Sequence, residues 1–408
     1  MNSPAAQDLN TPVPIRLKPT RQFPFLARHP WVHAHALAET GEGLTAGQVV
    51  DLLDFDGNWI ARGLVNPGSR LRIRLYSFDS GIQLDDALWC SRIDMAIGRR
   101  RLATRSADDA AERLVFSESD LISGLIVDRY ADALSVQFTS AALYAHCDAI
   151  LKHLSSAFPS RSILVRIDEN TAKHEGVDPV DRWANGETHG EAIGDPIEYQ
   201  QNGLTLAVDL AGGQKTGGYL DQRLNHQAAA SYLSGRRVLD VCCYSGGFGL
   251  VAAKAGATSV VGVDSSEPAL AAARVNAVRN EITNLELVKS DCFDELKRRV
   301  EAGETFDAVI LDPPRFAGSR KNVDSAMRAY SRLNSLALDL LRPGGILVTC
   351  SCSGRVARSD FLNMLLDVGR RRRRDLIVLE NRGPSPDHPV AVSCPESDYL
   401  KCVIAEVR

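Results

Sequence analysis

From Gly235 onward the chain alternates apolar runs suited to strands with longer runs suited to helices. RRVLDVCC leads through a glycine-rich turn into LVAAKAGA, and SVVGVD leads into PALAAARVNAVRN. LELVKSD precedes a polar helix, FDAVILD follows, and ILVTCSCSG comes after Pro343-Gly344-Gly345. A strand that returns to its sheet through a helix runs parallel to its predecessor, so the rhythm predicts an α/β fold with a doubly wound parallel sheet. Ligands of such sheets sit outside the carboxyl ends of the strands, where the informative residues therefore lie.

After the first strand the chain reads Asp240-Val-Cys-Cys-Tyr-Ser-Gly-Gly-Phe-Gly249. Gly246, Gly247 and Gly249 permit close backbone approach to a ligand. The turn is not G-x-G-x-x-G, and Asp240 suits an ammonium-bearing ligand better than a pyrophosphate, which it would repel. The second strand ends at Asp264, where an acid can hold both ribose hydroxyls. The third ends at Asp291-Cys292, a position able to accept from an adenine amino group. Each acid taken singly is also a good helix N-cap. Three acids at successive strand ends point to S-adenosylmethionine, ahead of a dinucleotide dehydrogenase.

The fourth strand runs into Asp312-Pro-Pro-Arg-Phe316, a rigid turn that projects the Asp312 carboxylate toward the edge of a planar base. The fifth carries Cys350 and Cys352. Neighbouring fourth and fifth strands would turn Asp312 and Cys352 into one crevice. C5 of a pyrimidine is a poor nucleophile until a thiolate adds to C6, which makes C5 enamine-like. Cys352 is the candidate nucleophile, with Cys350 deeper and packing. A free thiol ionises near pH 8.5, so Cys352 needs an activator, which the sequence does not name.

The rest of the chain sets the context. With 44% apolar and 24% charged residues the chain folds, and 6% aromatics argue against a carbohydrate-binding sandwich. A net charge of −4 confines any nucleic-acid surface to a local patch. Residues 1–15 have the composition of a disordered leader, without the apolar core of a signal peptide. In the short strands between Gly47 and Tyr76, Arg70, Arg72 and Arg74 alternate onto one face, which fits either an RNA-backbone contact or a solvated strand face. A helix is expected over Asp85–Ala103 and another over Ala141–Ala157, among strand-like runs. Arg370–Arg374 reads as a solvated helix end, with phosphate contact the lesser alternative. Nine cysteines without C-x-x-C spacing read as reduced thiols of a cytoplasmic protein without a zinc site.

These residues resemble the bacterial 23S ribosomal RNA large subunit methyltransferase I family, class I enzymes that form 5-methylcytosine. The resemblance covers nearly the whole chain: RHPWV at Arg28–Val32, SGLIVDRY at Ser123–Tyr130, GQKTGGYLDQR at Gly213–Arg223, the donor turn, LDPPRF, SCSG, Asp387-His388-Pro389 and YLK at Tyr399–Lys401. It implies a PUA-like RNA-binding domain over residues 16–80, a central α+β domain over 81–195 and a class I methyltransferase domain with a Rossmann-like doubly wound sheet over 196–408. It implies Cys352 as nucleophile and Asp312 as base-contacting acid. The cofactor S-adenosylmethionine would be held by Gln222, Asp240, Cys243, Tyr244, Ser245, Gly246, Asp264, Ser265, Asp291 and Cys292. The partner would be 23S ribosomal RNA, with no membrane, and monomer and homodimer both stay open. Two positions depart from the family: Gly218 replaces an aromatic residue, with Tyr219 following, and Cys-Cys-Tyr-Ser replaces Phe-Ser-Tyr-Thr. DPPRF also lacks the second cysteine that assists product release in many related enzymes. Methylation of an exocyclic amine such as guanine N2, and a non-catalytic RNA-binding assembly factor, are the competing readings. His388 is a base candidate, with a structural role the alternative.

Overall fold

The computed structural model describes residues 9–39, 43–102, 110–158, 162–184, 196–210, 217–316 and 323–408. The first sheet contains β1 (Val13–Arg16), β2 (Trp31–His33), β3 (Val49–Leu53), β4 (Trp59–Val65) and β5 (Leu71–Ser77) in the order β1-β3-β4-β5-β2, with the short helix α1 (Phe23–Leu26) beside it. β1 begins inside the stretch expected as leader. Val13, Ile15 and Leu17 alternate inward behind a polar, proline-bearing composition, and Ile15 is buried. Residues 1–8 lie outside the described residues.

The arginine stripe of β5 is neither a uniform solvated face nor an open RNA contact. Arg70 is exposed, but Arg72 turns back to the Pro67 carbonyl. Arg74 is buried, pairing with Glu118 at 3.3 Å and donating to the Thr139 carbonyl at 2.6 Å. Period-two alternation sorts residues onto faces, but the central domain covers the far end of this one.

The central domain has α2 (Asp86–Arg100), capped by the Asp85 carboxylate, then β6 (Ala111–Phe116), β7 (Leu125–Tyr130), β8 (Ala133–Phe138), β9 (Ser162–Ile167) and β10 (Val180–Ala184). Its sheet order is β10-β9-β8-β7-β6. The single helix expected over Ala141–Ala157 is two, α3 (Ala141–Tyr144) and α4 (Cys147–Ala157), parted where His146 packs on Trp89 with ring centroids 5.3 Å apart. Helix α5 (Glu169–Glu175) follows β9. A hairpin of β11 (Ile197–Gln201) and β12 (Leu204–Val208) leads onward.

The third sheet carries the strand–helix rhythm. Helix α6 (Arg223–Ala230) precedes β13 (Arg237–Val241), α7 (Gly247–Lys254), β14 (Ser259–Asp264), α8 (Glu267–Arg279), β15 (Leu285–Lys289), α9 (Cys292–Glu301), β16 (Phe306–Leu311), α10 (Val323–Leu340), β17 (Leu341–Ser351), α11 (Arg358–Arg372), β18 (Leu376–Arg382) and β19 (Lys401–Val407). The order is β15-β14-β13-β16-β17-β19-β18, with β15 through β17 parallel and β19 antiparallel to both neighbours. Ala308–Leu311 of β16 are fully buried, as a strand covered by helices on both faces requires. The order reverses between β13 and β16, which opens a crevice at their carboxyl ends. β17 stops at Ser351, so Cys352 lies just past the strand rather than within it. Of the arginine run, Arg370–Arg372 end α11 in solvent, while Arg374 turns back to the Leu341 carbonyl at 3.0 Å. No helix among the described residues is long and apolar enough to cross a membrane.

Candidate active site

β13 delivers Asp240 fully buried, with Oδ2 accepting from the Gly249 N–H at 2.8 Å. The turn back to α7 is tight: Cys242, Tyr244 and Gly246 all have positive φ, at 62°, 49° and 91°. Two glycines make it fit. A Cβ on Gly249 would stand 2.9 Å from Asp240 Oδ2, and one on Gly247 would stand 2.5 Å from the His226 ring. Asp264 at the end of β14 closes the turn from the other side, accepting from the Tyr244 N–H and the Ser266 N–H at 2.9 Å each.

The acids reinforce one another electrostatically. Burial, then the charges of Asp312 and Asp264, push the Asp240 carboxyl up to about 7 against the Gly249 N–H. Asp240 Oδ1 is buried without a hydrogen-bond partner among the described residues. A cationic ligand offsets both penalties, so the donor set fits the ammonium and sulfonium of S-adenosylmethionine and does not suit a pyrophosphate. The remaining candidate donor contacts divide. Ser245 is half-buried and Ser265 exposed at the turn and after β14. The Cys243 thiol lies instead in the core, where burial pushes its pKa up and where Gly262 of β14 leaves it room. Asp291 caps α9, its Oδ1 accepting from Phe293 and Asp294 N–H, so at least that oxygen serves the helix. Cys292 is half-buried and shares a hydrogen bond with Cys242 that lowers its own pKa and raises its partner's.

Asp312 follows β16, its N–H bonded to the Val241 carbonyl at 3.2 Å, which ties the fourth strand end to the donor turn. Cys352 lies against the same turn, its Sγ 4.0 Å from the Pro313 carbonyl. Parallel pairing of β16 with β17, Leu311 opposite Thr349, produces this meeting of Asp312 and Cys352. Cys350 is fully buried opposite Cys402 and serves as packing.

Gln222 borders the donor turn through Asp312, whose charge acts on Asp240. Its Nε2 donates to Asp312 Oδ1 at 3.0 Å and its Oε1 accepts from Asn225 at 2.6 Å, so it orients the Asp312 carboxylate. Gln214–Thr216 lie outside the described residues. Gly218 is accounted for by Tyr130, whose hydroxyl accepts from the Gly218 N–H at 2.7 Å and fills the space beside it. Tyr219 then supplies the aromatic wall, edge-on to Tyr244 of the donor turn with centroids 5.1 Å apart.

Several neighbours of Cys352 reach it from distant parts of the chain, two of them within the YLK run. Tyr330 accepts from Ser351 Oγ at 3.0 Å, Tyr399 donates to Asp221, and Lys401 is buried with its Nζ on the Ser353 and Tyr399 carbonyls. His388 is no base in this site. It is buried on Asp387 at 3.0 Å and tilted against Phe116, and Asp387 also accepts from Arg223 at 2.7 Å and the Arg113 N–H at 3.0 Å. Burial opposes ionisation of Asp387, yet His388, Arg223 and the Arg113 N–H outweigh it and hold the carboxyl well below the usual range. The pair thus fastens the central domain to the methyltransferase sheet.

Comparison with known proteins matches this arrangement. Residues 177–395 fit the S-adenosylmethionine-dependent methyltransferase family model and residues 15–78 the PUA-like domain. A ribosomal RNA large subunit methyltransferase I from Shewanella denitrificans is 37% identical over 96% of this chain and 99% of its own. The enzyme of that name from Tolumonas auensis is 38% identical over 96% and 98%. In fold, the chain resembles the methyltransferase SMU.776 complexed with SAH, with a TM-score of 0.82 at 21% identity, covering 97% of this chain and 100% of that one. With the donor turn, the PUA-like sheet and full-length relatives in agreement, the chain belongs to the ribosomal RNA large subunit methyltransferase I family and is an S-adenosylmethionine-dependent methyltransferase.

Proposed function

We propose that the protein methylates C5 of a cytosine in large-subunit ribosomal RNA, with Cys352 as nucleophile. The observation that supports this most directly is the Cys352 thiol lying 4.0 Å from the Pro313 carbonyl, beside Asp312 and within the crevice that begins at Asp240. Amine methylation has no use for a thiol there. The substrate class follows the relatives, whose names specify large-subunit ribosomal RNA.

Cys352 acts as thiolate, its electron pair forming a bond to C6 while the C5–C6 π pair moves to C5. Asp312, oriented by Gln222, grips the N3/N4 edge of the base and fixes its plane. Asp240 and Asp264 hold the donor from below the turn, and Tyr219 with Tyr244 walls the crevice. S-adenosylmethionine, when bound, supplies an electrophilic methyl group for C5. Water takes the C5 proton, the C5–H pair reforms the C5–C6 double bond, and the Cys352 sulfur leaves C6 with its electron pair as thiolate. A paired base is out of reach of such a crevice, so the target is single-stranded or flipped out. Exposed arginines of the PUA-like domain, Arg21, Arg28 and Arg70, suit the RNA backbone in a chain of net charge −4.

Ribosomal RNA fragments carrying 5-fluorocytidine test the reading, because fluorine blocks the final elimination. With donor present, wild type is expected to form a covalent protein–RNA band that Cys352→Ala does not. No band, together with methyl transfer that survives the substitution, would move the target to an exocyclic amine.

A further inference from the structure

Lys401 opens β19 and stands opposite Ser351 in the β17–β19 ladder, one residue before the nucleophile. It is 1% exposed, although an ammonium is costly to bury without an anionic or dipolar partner. Its Nζ donates to the Ser353 carbonyl at 2.5 Å and the Tyr399 carbonyl at 2.8 Å. Ser353 directly follows Cys352, and Tyr399 anchors its hydroxyl on Asp221. An ammonium has three donors, so these two acceptors do not exhaust it.

The charged surroundings of Lys401 are mixed. Burial pushes its pKa down to about 8, Asp398 and a Cys352 thiolate hold it up, and Arg358 and Arg315 press it down further. Near Cys352 stand the Asp312 carboxylate, the phenols of Tyr219, Tyr330 and Tyr399, and this lysine, with Arg358 and Arg315 close enough to act on the lysine. A carboxylate and phenols in a buried crevice oppose a thiolate, and a cation held beside its turn favours it. A neutral side chain of similar length would fill the same space without the cost of desolvating a charge.

We propose that Lys401 is the positioning residue that activates Cys352: its buried ammonium pins the Cys352–Ser353 turn to β19 and stabilises the thiolate against the adjacent Asp312 carboxylate. This rests on Cys352 being the nucleophile. The thiol proton passes to solvent, and the sulfur keeps the electron pair that later bonds to C6.

The test is the pH profile of Cys352 alkylation in the full chain, without RNA or donor. Iodoacetamide labelling is followed at the Cys352 peptide by mass spectrometry in wild type, Lys401→Met and Lys401→Arg. Wild type is expected to titrate below the ordinary thiol value of about 8.5. In Lys401→Met the midpoint should rise by at least about one pH unit, slowing labelling at neutral pH about tenfold, and Lys401→Arg should restore much of it. A wild-type midpoint at or above the ordinary value overturns the proposal, a measurement that stands even where a variant misfolds. An unmoved midpoint in a Lys401→Met protein with native circular dichroism overturns it as well. Failure of the underlying nucleophile reading shows elsewhere, as methyl transfer that persists in Cys352→Ala.

Discussion

Asp240 carries the strongest electrostatic tension among the donor-side acids. Its folded pKa of about 7 lies above the unfolded carboxylate value of about 3.9, so the fold favours the protonated form. That preference contributes stability below about pH 4 and is lost as pH rises through about 7. Without donor, Asp240→Asn should therefore gain stability relative to wild type between about pH 5 and 8, measured by urea unfolding across that range. A cationic donor reverses the preference. Its affinity for wild type should climb over the same pH window and stay flat in Asp240→Asn, which titration calorimetry would show. A parallel pH dependence in both proteins would remove Asp240 from the donor site.

The elements around the donor turn are held at close approach by Gly247. Gly247→Ala places a Cβ 2.5 Å from the His226 ring, which itself stands edge-on to Phe248 with centroids 4.4 Å apart. α6 and α7 must then separate, at a cost of about 1–3 kcal/mol in chemical unfolding, with weaker donor binding. Unchanged stability would mean that the ring has somewhere to go. Glycines and strand-end acids of this kind were legible in the sequence because they act within a few residues of their own backbone. So were the parallel order of β13 through β17 and the deep packing of Cys350. The bond from Gln222 to Asp312 was not legible, because the two lie 90 residues apart and no local pattern records that meeting. Lys401 belongs to the YLK run that carries the resemblance, but its place beside Cys352 shows only once β19 is seen to insert beside β17. The arginines of β5 misled for the opposite reason: their spacing was plain, but a second domain lies over Arg74.

At the scale of the whole molecule the three large sheets are joined by apolar clusters that cross their boundaries, Val49 and Leu64 packing with Phe138 and Tyr130 with Leu250, and by buried ion pairs. Asp387 is the hub between the central and methyltransferase domains, and Asp387→Asn leaves Arg223 buried beside a neutral amide. A loss of about 3–5 kcal/mol is expected near pH 7, seen as a lower unfolding midpoint. The folded pKa of Asp387 lies below the unfolded one, so its contribution is present above about pH 4 and lost as pH falls further. The gap between wild type and variant should narrow in acid. At the other end, neutralising Arg21, Arg28 and Arg70 together should weaken RNA binding across sequences. It should also flatten the salt dependence by roughly 0.7–0.9 for each phosphate that is no longer neutralised, with donor affinity unchanged. A change in donor affinity would show that these residues act through the fold.

β19 sits between β17 and β18 although it follows both along the chain. During translation, then, Cys352 emerges with its flanking strand still an open edge and with Lys401 not yet made. Until β19 slides into the gap, the thiol lacks the cation proposed for it and should react as an ordinary cysteine. On the role proposed for Lys401, order of manufacture would act as a safety catch, arming Cys352 only when the sheet that shelters it has closed.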